Sequence, residues 1–511
     1  MKVLMLGWEF PPHISGGLGT ACAGLTKGLS AHGVDVVFCM PKAHGDEEAD
    51  WMTLEGANHV RYSEQVEELH TEVTESYERV HNVHEASSQD GADLVGGDPD
   101  AQVTPSAHAA SEVRSVVGAL RRIEIDSPLG AYQTAGTYGD ELSPGEGDVA
   151  GAPANRLGDS AARPGEDVFS SFQATDWLEL ALRISEAVRH GHRIDEVQYE
   201  FTGAYGPGLF EEVARFAMAV CEIAKRNDVD LIHAHDWMTY PAGVAAAQLL
   251  GVPLVCHLHA SEYDRTGDQP DGRVLALEKM GIESCDRLIC VSHYTARVAM
   301  TRYGADAKRI RVVHNAVTQK EQRSEWHQEI PLDGKGPLVL FLGRITFQKG
   351  PDYFVEAASK VIKLRPDVRF VISGSGDMLQ DIILRSARQG LMNNMFFTGF
   401  LRGADVERMY SMADLYVMPS VSEPFGITPL EAMALDVPVV VSRQSGVSEV
   451  LVNALKVDFW DTDELANQIL AAISYPALRS QLVDNGRDEV RRMRWELRGE
   501  LLRDHYAELV R

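Results

Sequence analysis

Two stretches of the chain alternate short apolar runs with longer amphipathic segments. In the first stretch the apolar runs lie at 2–7, 34–40, 229–235, 253–259, 287–292 and 310–314. In the second they lie at 337–343, 368–373, 395–399, 415–420 and 437–442. Segments with helical spacing separate them, for example at 210–225 and 353–364. Nearly continuous Val, Ile and Leu strands between helices are typical of parallel sheets that are covered on both faces.

This pattern predicts an α/β protein with two Rossmann-like domains, and a length of 511 residues agrees with more than one core. We place the first domain at 1–318 and the second at 337–490. The polar segment 319–336 is the predicted linker between them. Residues 491–511 form a charged, Arg-rich stretch that is predicted to be a helix.

The net charge of −27 is concentrated in one part of the chain. Residues 43–200 contain 32 Asp and Glu, 10 Arg and no Lys, so they contribute 10 − 32 = −22. Segments rich in Ser, Gly, Ala, Pro and Asp predict an acidic, partly disordered insertion at about 65–170. A regulatory or acceptor-guiding segment and adaptation to salt are alternative explanations of this acidity. Because the sequence has no stripe of basic residues that could neutralise phosphates, a nucleic-acid partner is not expected.

Hydropathy and cysteine content predict a cytoplasmic protein without an integral membrane segment. No run approaches the roughly 20 apolar residues that a membrane span needs. The first apolar run has only four such residues before Gly7, which is too short for a signal peptide. The six cysteines are scattered without a C-x-x-C motif, as expected for reduced, buried thiols.

The unusual polar residues follow the predicted strands. In open parallel sheets, ligands bind outside the carboxyl ends of the strands. Six polar or Gly-rich loops lie at such ends: W-E-F-P-P-H-I-S-G-G-L-G (8–19), H-A-H-D-W (233–237), H-L-H-A-S-E (257–262), G-R-I-T-F-Q-K-G (343–350), S-G-S-G-D (373–377) and S-E-P-F-G-I-T-P-L-E (422–431). Since both domains contribute loops, we predict a site in a cleft between them.

The loops of the first domain allow more than one explanation. S-G-G-L-G opens a helix whose free N–H groups suit an anion, but Cys22 breaks the dinucleotide fingerprint, and a turn without a ligand is the alternative. In H-A-H and H-L-H, the two histidines of each pair share one face of a strand. The pairs are candidates for a metal site and hence for a metal-dependent hydrolase, although no third ligand motif follows either pair. Hydrogen-bonded core histidines are the simpler explanation.

The loops of the second domain carry charge. Arg344 and Lys349 suit a leaving diphosphate. Thr428 to Glu431 match a capping box with Pro429 at the first helical position, and the amide groups before it suit an anion. Glu423 lies outside that helix, so capping does not explain it. A glycosidase-like pair of carboxylates is conceivable, but the phosphate-binding features favour transfer from a sugar diphosphate over hydrolysis.

Taken in this order, the motifs resemble those of retaining glycosyltransferases with the GT-B fold, of the glycogen-synthase-like, group 1 kind. The resemblance covers about 1–42 and 195–511. It implies two Rossmann-like domains that face a central cleft, with the first binding the acceptor, the second binding a nucleotide sugar, and the C-terminal helix crossing back to the first. The implied reaction transfers a hexosyl group, most simply glucosyl, to a glucan or another hydroxyl acceptor.

The resemblance also assigns roles to particular residues. The catalytic positions would be Arg344 and Lys349 at the diphosphate, Glu423 at the sugar hydroxyls and His235 beside the transferred sugar. The donor-binding positions would be Gly17, Gly374, Leu401, Phe425, Gly426, Ile427, Thr428 and Glu431. Family members of this kind use no metal or other cofactor and retain the anomeric configuration by same-face attack. A non-catalytic sugar-binding protein of the same fold is a further alternative.

One position departs from the family. Bacterial glycogen synthases carry K-x-G-G-L in the first loop, and Ile14 stands where they have lysine. The donor base (ADP, UDP or GDP) and the acceptor therefore stay open.

Overall fold

The computed structural model describes residues 1–13, 16–63, 172–189, 196–198, 201–203, 205–206, 208–318 and 336–510. The predicted acidic insertion at about 65–170, Ile14, and the linker apart from Gly336 lie outside the described residues.

The first domain is built on a parallel sheet whose strands run in the order β3-β2-β1-β6-β7-β8-β9. These strands are β1 (Lys2–Leu6), β2 (Asp35–Met40), β3 (Thr53–Gly56), β6 (Leu231–His235), β7 (Leu254–Leu258), β8 (Arg287–Cys290) and β9 (Ile310–Val312). A short antiparallel pair, β4 (Arg61–Ser63) and β5 (Glu196–Gln198), lies apart from this sheet.

Helices cover both faces of the first sheet. Along β1, Leu4 and Leu6 enter one apolar cluster, whereas Val3 and Met5 enter another. Alternation within an all-apolar strand is what a sheet buried on both faces requires. The helices are α1 (Gly17–Ala31), α2 (Ala174–Arg189), α3 (Leu209–Arg226), α4 (Tyr240–Leu250), α5 (Glu262–Thr266), α6 (Gly272–Ser284) and α7 (His293–Tyr303), with a 3-10 turn at Ala57–His59.

The second domain repeats this architecture with the strand order β12-β11-β10-β13-β14-β15, again parallel. Its strands are β10 (Leu338–Leu342), β11 (Arg369–Ser373), β12 (Met395–Gly399), β13 (Leu415–Met418), β14 (Val439–Ser442) and β15 (Leu455–Val457). Its helices are α8 (Pro351–Leu364), α9 (Leu379–Arg388), α10 (Ala404–Met412), α11 (Thr428–Ala434), α12 (Val447–Val450), α13 (Thr462–Ser474) and α14 (Pro476–Val490), with a 3-10 turn at Phe347–Lys349.

The last helix, α15 (Trp495–Ala507), returns to the first domain and packs against α1. The two helices approach so closely that a Cβ on Gly28 would lie 2.2 Å from the backbone oxygen of Trp495. A Cβ on Gly24 would lie 2.2 Å from the Trp495 indole. The predicted fold class, with two parallel-sheet domains and a C-terminal helix that crosses back, is therefore confirmed.

Two further predictions can be compared with the structure. All six cysteines are buried free thiols, as expected. Within the described ranges, no helix has both the length and the apolar character needed to cross a membrane.

Candidate functional site

The loop after β10 brings the predicted diphosphate-binding residues to the carboxyl edge of the second sheet. Arg344 is exposed, and its guanidinium donates to Gln348 Oε1 over 2.9 Å. Gln348 is buried, and its backbone oxygen accepts from Val421 N at 2.9 Å. This contact ties the loop of Arg344 and Lys349 to the segment that leads into Glu423.

The central contact of the site joins Lys349 and Glu423. Lys349 Nζ lies 2.6 Å from Glu423 Oε2, and Ser420 Oγ donates to the same oxygen at 3.3 Å. Glu423 is only 7% exposed, so its charge is stabilised by these donors rather than by bulk water. Its backbone N donates to Gln444 O at 3.0 Å, which holds the segment against the loop after β14. The structure thus brings together two residues 74 positions apart that the sequence assigned to one site.

Two glycines allow this edge to form. Gly426 has φ +99°, a conformation that side chains rarely adopt, and a Cβ there would lie 3.2 Å from Glu423 Cγ. Gly374 has φ +145°, and a Cβ there would lie 1.9 Å from the backbone oxygen of Gly343. At both predicted donor-binding positions, the positive φ and the close neighbouring atoms therefore favour glycine over any residue with a Cβ.

The helix that follows Glu423 starts differently from the prediction. The N-cap residue is Ile427, which offers no side-chain hydrogen bond, and Thr428 is already helical. The predicted capping box at Thr428 is therefore wrong by one position, and Pro429 is not the first helical residue. Thr428 Oγ1 instead accepts from Tyr416 OH at 2.8 Å, because the tyrosine on β13 reaches over the start of the helix.

The other predicted donor-binding residues of this domain lie on that helix or in the loops after β12 and β13. Glu431 Oε2 accepts from Tyr410 OH at 3.1 Å. Phe425 is buried, and its backbone oxygen accepts from Val447 N at 2.7 Å. Leu401 is half-buried after β12 and packs against the same apolar cluster as Phe425.

The first domain faces this edge through the start of α1. Gly17 is exposed, and a Cβ built on it would lie 4.0 Å from Ile427 Cδ1 of the second domain. Gly17 of the first domain and Ile427 of the E-P-F-G-I motif therefore lie opposite each other across the cleft. Behind the turn, the buried carboxylate of Glu9 accepts from Gly19 N at 3.2 Å.

The two H-x-H pairs form one cluster, in which His233, His235 and His257 are fully buried and His259 is partly buried. Nitrogen atoms of His233, His235 and His257 lie within 4.8 Å of one another. The second pair thus provides the third potential metal ligand that the first pair lacks. His235 Nδ1 lies 2.8 Å from His259 Nε2, and His233 Nδ1 lies 2.5 Å from Tyr506 OH. Burial lowers the pKa of His233 and of His259 to about 3 and lowers those of the other two as well. All four rings are therefore neutral near pH 7.

Asp236, directly after the first pair, was missed by the sequence analysis. Its φ of +57° is unusual for a residue other than glycine, and Asp is among the few that tolerate it. Its Oδ1 accepts from the backbone N of His259 at 2.7 Å, which joins the loops after β6 and β7. Burial raises its pKa to about 6. A charged residue directly after H-A-H at a strand end was the available signal.

Comparisons with known proteins agree with the fold described above. A family model described as "Glycosyl transferases group 1" matches residues 322–489, one described as "Glycosyltransferase Family 4" matches 180–320, and one described as "Starch synthase catalytic domain" matches 2–100. Together they match parts of both domains.

Individual relatives are also named as glycosyltransferases. An uncharacterized glycosyltransferase of Methanocaldococcus jannaschii is 28% identical over 337 residues, which is 59% of this chain and 86% of the relative. A D-inositol 3-phosphate glycosyltransferase of Segniliparus rotundus is 28% identical over 298 residues, covering 55% and 66%. Among solved structures, a sucrose-phosphate synthase from Thermosynechococcus elongatus superposes with a TM-score of 0.62 at 17% identity, over 99% of this chain and 98% of that one. At that identity, the superposition supports the fold alone.

Proposed function

We propose that the chain is a retaining hexosyltransferase of the group 1 kind, because it has the GT-B fold and a family model described as "Glycosyl transferases group 1" matches residues 322–489. It transfers a hexosyl group, most simply glucosyl, from a nucleotide-diphosphate sugar to a hydroxyl of a glucan or another acceptor. The observation that carries this proposal is the 2.6 Å pair of Lys349 and Glu423, placed where Gly17 and Ile427 meet across the cleft.

The pair combines two tasks at one point. The Glu423 carboxylate accepts hydrogen bonds and thus recognises hydroxyl groups of the donor sugar. The Lys349 ammonium has three donors, so it holds Glu423 and contacts a phosphate oxygen at the same time. Arg344, exposed on the same loop, adds a second cation for the departing diphosphate.

The nucleoside part of the donor is assigned to the neighbouring residues. Glu431 accepts from the ribose hydroxyls, and the backbone amides of Phe425, Gly426 and Ile427 contact the sugar and phosphate. Gly374 and Leu401 lie on the loops beside β11 and β12, where the base is bound. Thr428, at the start of α11, is the remaining donor-binding position of the second domain.

In the proposed reaction, the acceptor oxygen forms a bond to the anomeric carbon as the bond from that carbon to the diphosphate oxygen breaks. The acceptor proton passes to the leaving phosphate oxygen on the same face. Arg344 and Lys349 stabilise the charge that develops on the diphosphate. Glu423 binds the sugar and is not the nucleophile, because same-face attack by the acceptor needs no side-chain nucleophile; Lys349 and Ser420 hold its Oε2 in place. His235 has no exposed surface, so its predicted contact with the sugar is not part of this proposal.

A panel of nucleotide sugars tests the proposal. UDP-, ADP- and GDP-linked glucose, and GDP-mannose, are offered to the purified chain with glycogen, inositol phosphate or fructose 6-phosphate as acceptor. We expect turnover with at least one donor, and release of the nucleoside diphosphate reports it. Glu423→Gln should lower that turnover by about 10² to 10³-fold while the thermal midpoint stays close to that of the wild type. Full activity of this variant, or no turnover and no binding of any donor, would reject the assignment.

A second candidate function is a metal-dependent hydrolase. The observation that favours it is the buried group of His233, His235 and His257, whose nitrogens lie within 4.8 Å of one another. Three histidines are a ligand set that zinc enzymes use. Metal analysis of the purified chain, followed by turnover after treatment with a chelator, separates the two functions. Stoichiometric metal and loss of activity on chelation support the hydrolase, and transfer that is indifferent to chelators removes it.

A further inference from the structure

Glu423 belongs to the second domain, but the first domain holds the residue before it. Ser422 Oγ donates to Asp264 Oδ1 at 2.6 Å and lies 2.8 Å from Tyr294 OH. The serine hydroxyl has one hydrogen, and the carboxylate takes it, so Tyr294 donates to the serine oxygen. The result is a hydrogen-bond chain from Tyr294 through Ser422 to Asp264.

The acceptor at the end of this chain is held in place. Asp264 is 3% exposed, and its other oxygen accepts from the backbone N and the Oγ of Ser261 at 2.9 and 2.7 Å. Asp264 and Ser261 form the capping box of α5, so the carboxylate has little freedom to turn. The position of Ser422 is therefore set by a rigid group of the first domain.

The residue after Glu423 is held in the same way. The backbone oxygen of Pro424 accepts from Ser292 Oγ at 2.6 Å and from Thr295 Oγ1 at 3.3 Å. Ser292 and Thr295 are both buried, at the start of α7. Glu423 thus lies between two residues that are each hydrogen-bonded to the other domain.

A third contact joins the domains beside these two. Glu449 of α12 accepts from the backbone N of His293 and of Tyr294 at 2.9 and 2.6 Å, so it caps α7 from the second domain. His314 Nε2 lies 3.3 Å from the same carboxylate. Gly446, which precedes α12, donates its N–H to Glu423 O at 2.9 Å. A Cβ on Gly446 would lie 2.5 Å from Ser292 Cβ, so the close approach of the domains needs glycine here.

We propose that Tyr294 and Asp264 of the first domain are positioning residues for Glu423, so that recognition of the donor sugar depends on docking of the two domains. The inference rests on the proposed function, in which Glu423 binds the sugar. In the proposed function, the nucleoside diphosphate is held mainly by Arg344, Lys349 and other groups of the second domain, and Gly17 is its proposed contact in the first. Loss of the interdomain contacts therefore weakens binding of the complete nucleotide sugar and leaves binding of the nucleoside diphosphate almost unchanged.

The test compares two affinities in each variant: UDP-glucose against UDP, or ADP-glucose against ADP, whichever pair the wild type binds. Tyr294→Phe removes one hydroxyl, and Asp264→Asn removes the charge of the acceptor. We expect each to raise the Kd for the nucleotide sugar by about tenfold, the scale of one hydrogen bond to a charged network, with less than about a twofold change for the diphosphate. Unchanged affinity for the diphosphate also shows that the variant is folded.

Two further variants make the outcome specific. Glu508→Gln is the matched control, because Glu508 Oε2 joins the last helix to Arg287 of the first domain at 2.7 Å without contacting the loop of Glu423. It should leave both affinities unchanged. Glu423→Gln should weaken binding of the nucleotide sugar directly. If it does so while Tyr294→Phe and Asp264→Asn change neither affinity, the positioning role is wrong and the proposed function stands. If Glu423→Gln itself leaves the two affinities in their wild-type ratio, both the positioning role and the proposed function are wrong.

Discussion

The two domains place different chemistry at the carboxyl ends of closely similar sheets. In the second domain, the loops carry Arg344 and the ion pair of Lys349 and Glu423. In the first, the strand ends carry buried histidines whose pKa values burial lowers. The second domain therefore offers charged side chains to a ligand, whereas the histidines of the first are neutral and closely packed. A donor with a diphosphate is therefore expected to bind mainly to the second domain.

The largest effect is expected from Lys349→Met in the second domain. It removes a cation from the proposed leaving group and leaves the buried Glu423 carboxylate without its partner, so turnover should fall by about 10³-fold. Release of nucleoside diphosphate from the active donor measures this. Lys363→Met on the exposed side of α8 is the matched control and should retain full turnover. The double variant Lys349→Met/Glu423→Gln should recover thermal stability but not turnover, and recovery of turnover would contradict the assigned roles.

A smaller effect, on stability, is expected from Gly374→Ala. The positive φ and the approach to Gly343 O oppose any side chain, so the free energy of unfolding should fall by roughly 1–3 kcal/mol. Urea unfolding of the full chain measures it. Gly272→Ala, at the start of α6 in the first domain, has open space around the new Cβ and should be neutral or slightly stabilising. Equal effects of the two substitutions would show that the tight backbone approach does not matter.

In the first domain, the expected effect is a pH dependence of the free energy of unfolding. The unfolded histidines bind protons below about pH 6.5, whereas folded His233 does so only near pH 3. Stability is therefore fully present above about pH 6.5 and is lost as the pH falls toward 3, by about 1.4 kcal/mol per pH unit for each extra proton bound on unfolding.

Urea midpoints between pH 7 and 5 test this slope. His257→Gln should reduce it by one proton, because His257 belongs to the same buried cluster. His59→Gln, at an exposed position outside the cluster, is the control substitution. A slope that His257→Gln does not change would contradict the neutral cluster.

Much of the fold could be predicted, because central parallel strands are apolar on both faces. Each of the eleven apolar runs contains or overlaps a strand of the two sheets. The edge strands β3 and β15 were missed. T-L-E-G and L-K-V are too short and too polar to show the pattern of a buried strand.

The candidate site was predictable where one loop contains the signal. Lys349 and Glu423 do lie together, since each lies in the loop that follows a strand of the same sheet. The predicted capping box is wrong, because the helix begins one residue earlier than predicted. Ile427, which has no polar side chain, occupies the N-cap position. Asp264, Tyr294 and Glu449 could not be found this way. Their partners lie on the other domain, and no local pattern records which surfaces meet.

The packing of α15 on α1 has a consequence for the order of folding during synthesis. Gly24 and Gly28 of α1 are covered by Trp495 and its neighbours, which the ribosome adds after every strand of the second sheet. A nascent first domain therefore waits with one apolar helix face uncovered while the second domain emerges. Its core is completed only by the late helix, so a chain truncated before Trp495 would expose this face to chaperones and proteases even though both sheets were complete.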